Sequence, residues 1–338
     1  MNLWRWLTGK KQTVDTVAFP TVDFDRSIDL ISRTEKWKTP WTSLYGAAIG
    51  DICGSIYEFD NHKTDRPETI ELINESCYLT DDTVLTAAIA DAQAKSGGDS
   101  LMRHFGRSSL ARHILYEEYD RALWEWGNRY PHESYGGRMR AWLQSSEREP
   151  YNSYGNGAAM RISPVIRCFC ELYRQAGGNS KEKQLLNLTV EGLFYGVALA
   201  TSPTHNHPHG IMGAQATGLT MVLAWLGWAK EDIRSTVTSV YKDYFEYRLD
   251  QSLASIRPHY PFDETCRGTV PVAIIAFLES HDFVSAVQNA ISVGGDSDTL
   301  AAITGSIAEA YYREIPEELK TFVRNKLPDE IRDALSLV

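Results

Sequence analysis

Carboxylates and hydroxyls crowd two short stretches far apart in the chain. Gly294-Gly295-Asp296-Ser297-Asp298-Thr299 sets two carboxylates and a threonine between a glycine pair and an alanine-rich run, and Thr80-Asp81-Asp82-Thr83 repeats the pattern before another small-residue run. Asp and Thr oxygens are hard donors, suited to Mg2+ or Mn2+ rather than to zinc, which prefers His and Cys. Asp81, Asp82, Asp296 and Asp298 together would balance the charge of two divalent ions. Converging without cations, they would repel one another, and some would hold their protons. The alternative for each cluster alone is helix capping, in which Asp and Thr are common. Two such clusters in one chain favour a metal site.

Two further stretches carry polar chemistry. Gly155-Asn156-Gly157 reads as a tight turn leading into an apolar helix, and such turns present backbone N–H groups to phosphate. An ordinary turn is the alternative. His205, His207 and His209 fall within five residues beside Pro203 and Pro208. A zinc cluster is a poor reading of them, because the cysteines supply no matching spacing. A histidine capping a helix start is the bland reading for His205. Tyr151, Tyr154, Trp124 and Trp126 have faces on which a base could stack, but buried aromatics are mostly core, and no role is assigned to them.

The elements that must position these groups read as helices. From Leu44 onward the periodicity is helical almost throughout, and strand signals are weak, so the fold class is all-α. Gly46, Gly50 and Gly54 lay a bare stripe on one helix face, which would let another helix or a ligand approach closely. Val84, Leu85, Ala88, Ile89 and Ala92 form an apolar face after the first Asp pair. Asp282 is a plausible N-cap for a helix through Ile291, with Gly294 placed to end it. Leu300, Ile303, Ile307 and Ala310 then carry the next helix. Loops are expected at 96–99, 145–157, 176–179 and 256–268, none long enough to be a domain linker. Residues 1–40 mix Trp4, Trp6, Phe19 and Phe24 with charges, and a helical period first shows at Ser27–Arg33. They read as an N-terminal extension to one compact helical domain, 41–338. That extension is either a strap over the core or an arm that contacts a partner protein.

Composition narrows the classes. A chain of 338 residues can bury a large core unaided. Its five cysteines are odd in number and show no CxxC pairing, so reduced thiols in a cytoplasmic protein are expected. A net charge of −10 argues against a nucleic-acid binder, and no apolar run reaches the roughly 20 residues needed to span a bilayer.

In order, five stretches resemble the ADP-ribosylglycohydrolases, the family of the dinitrogen-reductase-activating glycohydrolase and the ADP-ribosylarginine hydrolases. They are Gly46-Ala47-Ala48-Ile49-Gly50-Asp51 with Gly54 to Glu58; Leu79 to Thr83; Gly155-Asn156-Gly157-Ala158-Ala159-Met160-Arg161; Thr204-His205-Asn206-His207-Pro208; and Gly294 to Thr299. Any one is weakly specific; the ordered set is not. The resemblance implies a compact all-α bundle holding two Mg2+ or Mn2+ ions, with Thr80, Asp81, Asp82, Asp296, Asp298 and Thr299 as ligands. It places Glu58 close to the metals and the scissile bond. It makes Gly155, Asn156 and Gly157 the cradle of the ADP-ribose diphosphate, with Met160 and Arg161 as neighbours, and puts His205 against the ribose or diphosphate. Ser134 to Arg138 resembles a loop lining the family's site.

The expected activity is therefore metal-dependent release of ADP-ribose from a modified protein side chain, arginine first, through an oxocarbenium-like transition state. Glu58, Asp81 and Asp298 are the candidates for acid, base or water activation. Serine and O-acetyl linkages are alternatives. Some members act as antidotes to ADP-ribosylating toxins, so an immunity role is a further expectation. A different class of function would be stoichiometric inhibition of an ADP-ribosyltransferase through residues 1–40. A dimetal phosphoesterase, releasing phosphate instead, is the third reading.

Overall fold

A computed structural model describes residues 28–96, 109–177, 179–186 and 188–336. Fifteen α-helices occupy them: α1 (Tyr45–Gly54), α2 (Asp81–Lys95), α3 (Ser109–Arg129), α4 (Gly137–Gln144), α5 (Ser163–Ala176), α6 (Ser180–Leu185), α7 (Val190–Thr201), α8 (Pro208–Trp225), α9 (Lys230–Tyr241), α10 (Leu253–Ile256), α11 (Cys266–Glu279), α12 (Phe283–Ile291), α13 (Ser297–Tyr312), α14 (Glu317–Lys326) and α15 (Asp329–Leu335). Among the described residues there is no strand, only an isolated bridge between Gly155 and Thr265. The all-α expectation holds. No helix among them is long and apolar enough to cross a membrane.

The centre of the bundle is α1 against α13, two helices almost wholly buried along their length. Their contact is backbone to backbone. A methyl group on Gly46 would lie 2.4 Å from the Gly305 carbonyl oxygen, one on Gly50 2.0 Å from that of Ala301, and one on Gly54 2.6 Å from the Asp298 Cα. The glycine stripe thus admits a helix. Glu309 of α13 is buried in the same contact, accepting from Ser43 Oγ at 2.6 Å and from the Gly46 N–H at 3.0 Å.

Local signals start and stop the helices around this pair. Thr80 caps α2, its side chain accepting from the Asp82 N–H. Asp282 caps α12 with a reciprocal box through Ser285. After α12 the chain turns through Gly294 and Gly295 at φ +76° and +71°, values that L side chains rarely adopt. The Asn61 side chain accepts from the Gly295 N–H at 2.8 Å, and Arg257 donates to the Ser292 carbonyl at 3.0 Å, so this turn is held from both sides. Helix α11 carries Pro271, which leaves the Arg267 carbonyl without its helical donor. The Glu246 N–H supplies one instead, at 3.1 Å.

Two expectations are revised. The stretch expected as loop over 256–268 ends earlier, because Thr265 caps α11 through the Gly268 N–H. Residues 28–33 form no helix; among the described residues the first turn is a short 3-10 segment, Glu35–Lys38. This segment lies across α5 and the end of α8: Tyr173 Oη donates to the Leu30 carbonyl, Trp228 Nε1 to that of Ile31, and the Arg33 N–H to that of Leu226. The aromatic residues Trp4, Trp6, Phe19 and Phe24, on which the partner-arm reading rests, lie outside the described residues.

Candidate active site

The two Asp clusters meet at one cleft. Glu58, Asp81, Asp82, Asp296, Asp298 and Thr299 all line it. One carboxylate oxygen each from Glu58, Asp296 and Asp298 lie within 4.8 Å of one another. Thr299 Oγ1 donates to Asp82 Oδ2 at 3.1 Å, which joins the start of α13 to the start of α2. Thr80 is buried beside them and donates to Asp51 Oδ1 at 2.7 Å.

Asp51 has no assigned role in the sequence reading, although it ends the first motif. It is fully buried on α1 and accepts from the N–H and hydroxyl of both Thr80 and Thr83. It therefore aims the α2 terminus at the cleft. Glu264, which also lines the cleft and whose carbonyl accepts from the Asn156 N–H, belongs to no motif either. Only the fold brings it there.

The electrostatics are those of a carboxylate cage. Burial, then the neighbouring carboxylates, pushes Asp81 up to about 7 and Glu58 up to about 8. Burial likewise takes Asp298 to about 8 and Asp51 to about 6, and drives Asp82 and Asp296 well above the carboxylate range. Glu58 Oε2 and Asp82 Oδ1 are buried without a hydrogen-bond partner. An all-oxygen donor set with orphaned acceptors and uncompensated charge fits hard divalent cations. Glu58, Asp81, Asp82, Asp296 and Asp298, with Thr80 and Thr299, are the groups able to hold them.

The cleft also holds groups of the other sign. Arg161 is fully buried there and donates through Nη2 to Thr204 Oγ1 at 2.6 Å, while its Nε and Nη1 find no partner. Arg138 stacks on Tyr151, 5.1 Å from the ring centre. His205 and Met160 line the cleft too, and so do Ser134 and Gly136 of the loop preceding α4 and Gly137 at its start. His205 is buried but caps nothing. The cap of α8 is His207, whose Nδ1 accepts from the His209 N–H.

Gly155-Asn156-Gly157 lines the same cleft, and two of its three N–H groups are engaged within the protein. That of Gly155 goes to Ser153 Oγ and that of Asn156 to the Glu264 carbonyl, leaving that of Gly157 among the described contacts. The Asn156 side chain turns toward the carboxylates and donates to Asp296 Oδ2 at 2.6 Å and to Thr269 Oγ1 at 3.1 Å. Of the aromatics given no role, Tyr151 lines the cleft. Trp124 and Trp126 instead donate to the Leu143 carbonyl and to Asp91 as parts of the scaffold.

Such an arrangement can bind a ligand with an anionic centre and a hydroxyl-rich end, and can polarise a bond at the carboxylate end. Known proteins agree with the fold. The ADP-ribosylglycohydrolase family model matches residues 42–337. The ADP-ribosylhydrolase ARH3 of Mus musculus is 24% identical over 329 residues, covering 81% of this chain and 84% of that protein. That of Xenopus tropicalis is 25% identical over 322 residues, covering 80% and 86%. The solved structure of an ADP-ribosylglycohydrolase-related protein complex superposes with a TM-score of 0.57 at 20% identity, over 90% of this chain and 98% of that one, a likeness of fold. The chain belongs to the ADP-ribosylglycohydrolase family, and its activity is the hydrolysis of ADP-ribose linkages.

Proposed function

We propose that the chain removes ADP-ribose from a modified protein side chain, arginine first, using two divalent cations held among Thr80, Asp81, Asp82, Asp296, Asp298 and Thr299. The observation that carries this is one cleft lined both by carboxylates with orphaned oxygens and by Arg161, Arg138 and His205. Bound cations supply charge neutralisation and Lewis-acid activation for glycosidic hydrolysis. The diphosphate sits at the Arg161–His205 side, against the Gly157 N–H, and the distal ribose reaches the carboxylates. Glu58 is the acid or base at the scissile bond. In the cation-free cage burial and the neighbouring carboxylates take its carboxyl up to about 8; cations bound beside it would lower that value and leave a carboxylate able to take a proton from the attacking water. Glu58 and Glu264 at this end favour a cationic leaving group such as a guanidine.

The test is incubation with ADP-ribosyl-arginine and ADP-ribosyl-serine peptides, with and without Mg2+ or Mn2+, reading the released nucleotide. Free ADP-ribose from the arginine peptide, only with metal, is the expected result. Release from the serine peptide alone overturns the linkage, and metal-independent release overturns the cation set. The antidote role rests on the family resemblance. It takes the same assay with a cognate transferase and a chain lacking residues 1–38.

A further inference from the structure

His205 follows α7, its backbone N–H bonded to the Thr201 carbonyl at 2.8 Å. Its two ring nitrogens have different surroundings. Nδ1 lies 2.8 Å from Thr204 Oγ1. Nε2 faces the turn at Gly155–Gly157, where a methyl group would meet it at 3.6 Å from Gly155 and 3.3 Å from Gly157. Thr204 Oγ1 is also the partner of Arg161 Nη2, at 2.6 Å.

The polarity of this chain follows from its first member. A guanidinium has donors and no acceptor, and burial lowers Arg161 only to about 10, so it is charged at neutral pH. The Thr204 oxygen therefore accepts from Arg161. The hydroxyl has one proton to give, and of the two groups beside it, His205 Nδ1 at 2.8 Å and the Tyr151 hydroxyl, the imidazole nitrogen is the better acceptor. An imidazole that accepts at Nδ1 carries its hydrogen on Nε2. Burial, then the nearby Arg161 and Arg138, also holds the ring away from its charged form.

We propose that Arg161 and Thr204 are positioning residues that lock His205 as the neutral Nε2–H tautomer, presenting a hydrogen-bond donor to the anionic group of the ligand at the Gly155–Gly157 turn. The identity of that group as a diphosphate rests on the function proposed above; the tautomer does not. In the opposite arrangement Nδ1–H donates to Thr204, whose proton turns to the Tyr151 hydroxyl. That would leave a bare Nε2 lone pair facing an anion.

The full-length protein labelled with 15N at histidine distinguishes the two, because long-range 1H–15N spectra separate protonated from unprotonated ring nitrogens. A His205→Gln spectrum identifies the His205 signals. Without ligand, the wild type and Thr204→Ser are expected to show protonated Nε2 and bare Nδ1, and Thr204→Val a mixture of tautomers. Thr204→Val should raise KM for the ADP-ribosylated peptide, and Kd for ADP-ribose, roughly tenfold with a much smaller change in kcat, and Thr204→Ser should restore both. Protonated Nδ1 in the wild type, a measurement that needs no variant, overturns the proposal. So does a Thr204→Val spectrum identical to wild type. ADP-ribose that binds without moving the His205 signals overturns the placement of the diphosphate, and the ligand-free spectra then judge the tautomer separately.

Discussion

Asp298 shows at a single residue how binding chemistry works against stability. Its carboxyl is buried and taken up to about 8, with Glu58 and Asp51 adding repulsion. Without cations it strains the fold, and as a proposed ligand it would hold them. Asp298→Asn is therefore expected to raise the melting temperature of the metal-free protein at about pH 8 by a few degrees and to cut metal-dependent turnover by at least about 100-fold. Thermal melts in chelator, beside initial rates with Mg2+, check both halves. Glu309 is a second buried carboxylate, on α13 facing the α1 terminus, and it serves the fold alone. Burial raises it from 4.5 to about 7 against the hydrogen bonds from Ser43 and Gly46. A carboxyl whose folded pKa is raised contributes stability that is fully present below its unfolded pKa and is lost as pH rises through the folded one. Wild type should thus lose roughly 1–3 kcal/mol relative to Glu309→Gln between about pH 4.5 and about pH 8, whatever fixed penalty the lost acceptor adds. Chemical denaturation at several pH values reads that slope, and parallel curves for the two proteins would show Glu309 ionised throughout.

At the scale of elements, the α1–α13 contact decides whether the carboxylates meet at all, since Asp51 rides on α1 and Asp298 on α13. A methyl group at Gly50 would sit 2.0 Å from the Ala301 carbonyl, backbone against backbone, with no side chain able to give way. Gly50→Ala is expected to destabilise by about 3 kcal/mol or more and to weaken metal binding with it. Gly136→Ala, where a methyl group meets nothing within 4 Å, should leave stability within about 0.5 kcal/mol. Denaturant midpoints of the pair check this. The stripe was legible in the sequence because small residues every four positions have one geometric consequence on a helix. The Asp282 cap and the α12–α13 sequence were legible for the same reason, being local. The cap role of His207 was not, since choosing between His205 and His207 needs the direction in which the chain enters α8. Nor were Asp51 as the brace of Thr80 and Thr83, or Glu264 as a cleft residue. Their partners lie across the fold, beyond the reach of spacing.

Across the whole molecule, the cleft joins parts of the chain some 240 positions apart: Glu58, the Asp81–Asp82 pair on α2 and the Asp296–Asp298 pair at the start of α13. A cation held among them ties α2, α13 and the end of α1 together, so its binding free energy is also folding free energy. At 100-fold above Kd one ion adds ≈ 2.7 kcal/mol, on the order of 5 °C for a chain of this size. The pH sets how much of this appears. Asp51, Asp81, Asp298 and Glu58 are all raised, to about 6, 7, 8 and 8. The metal-free protein therefore keeps the stability of the protonated groups at about pH 5 and loses it as pH rises through the interval from about 6 to about 8. Cations bound at the proposed site would replace those protons. Melting temperatures with Mg2+ or Mn2+ and with chelator should accordingly lie close together near pH 5 and separate by several degrees above about pH 8. The separation should shrink in Asp298→Asn, which removes one charge from the cage. Curves that stayed parallel across this range would mean that protons and cations do not compete for the same oxygens, and the carboxylate cage would then have to be something other than a cation site.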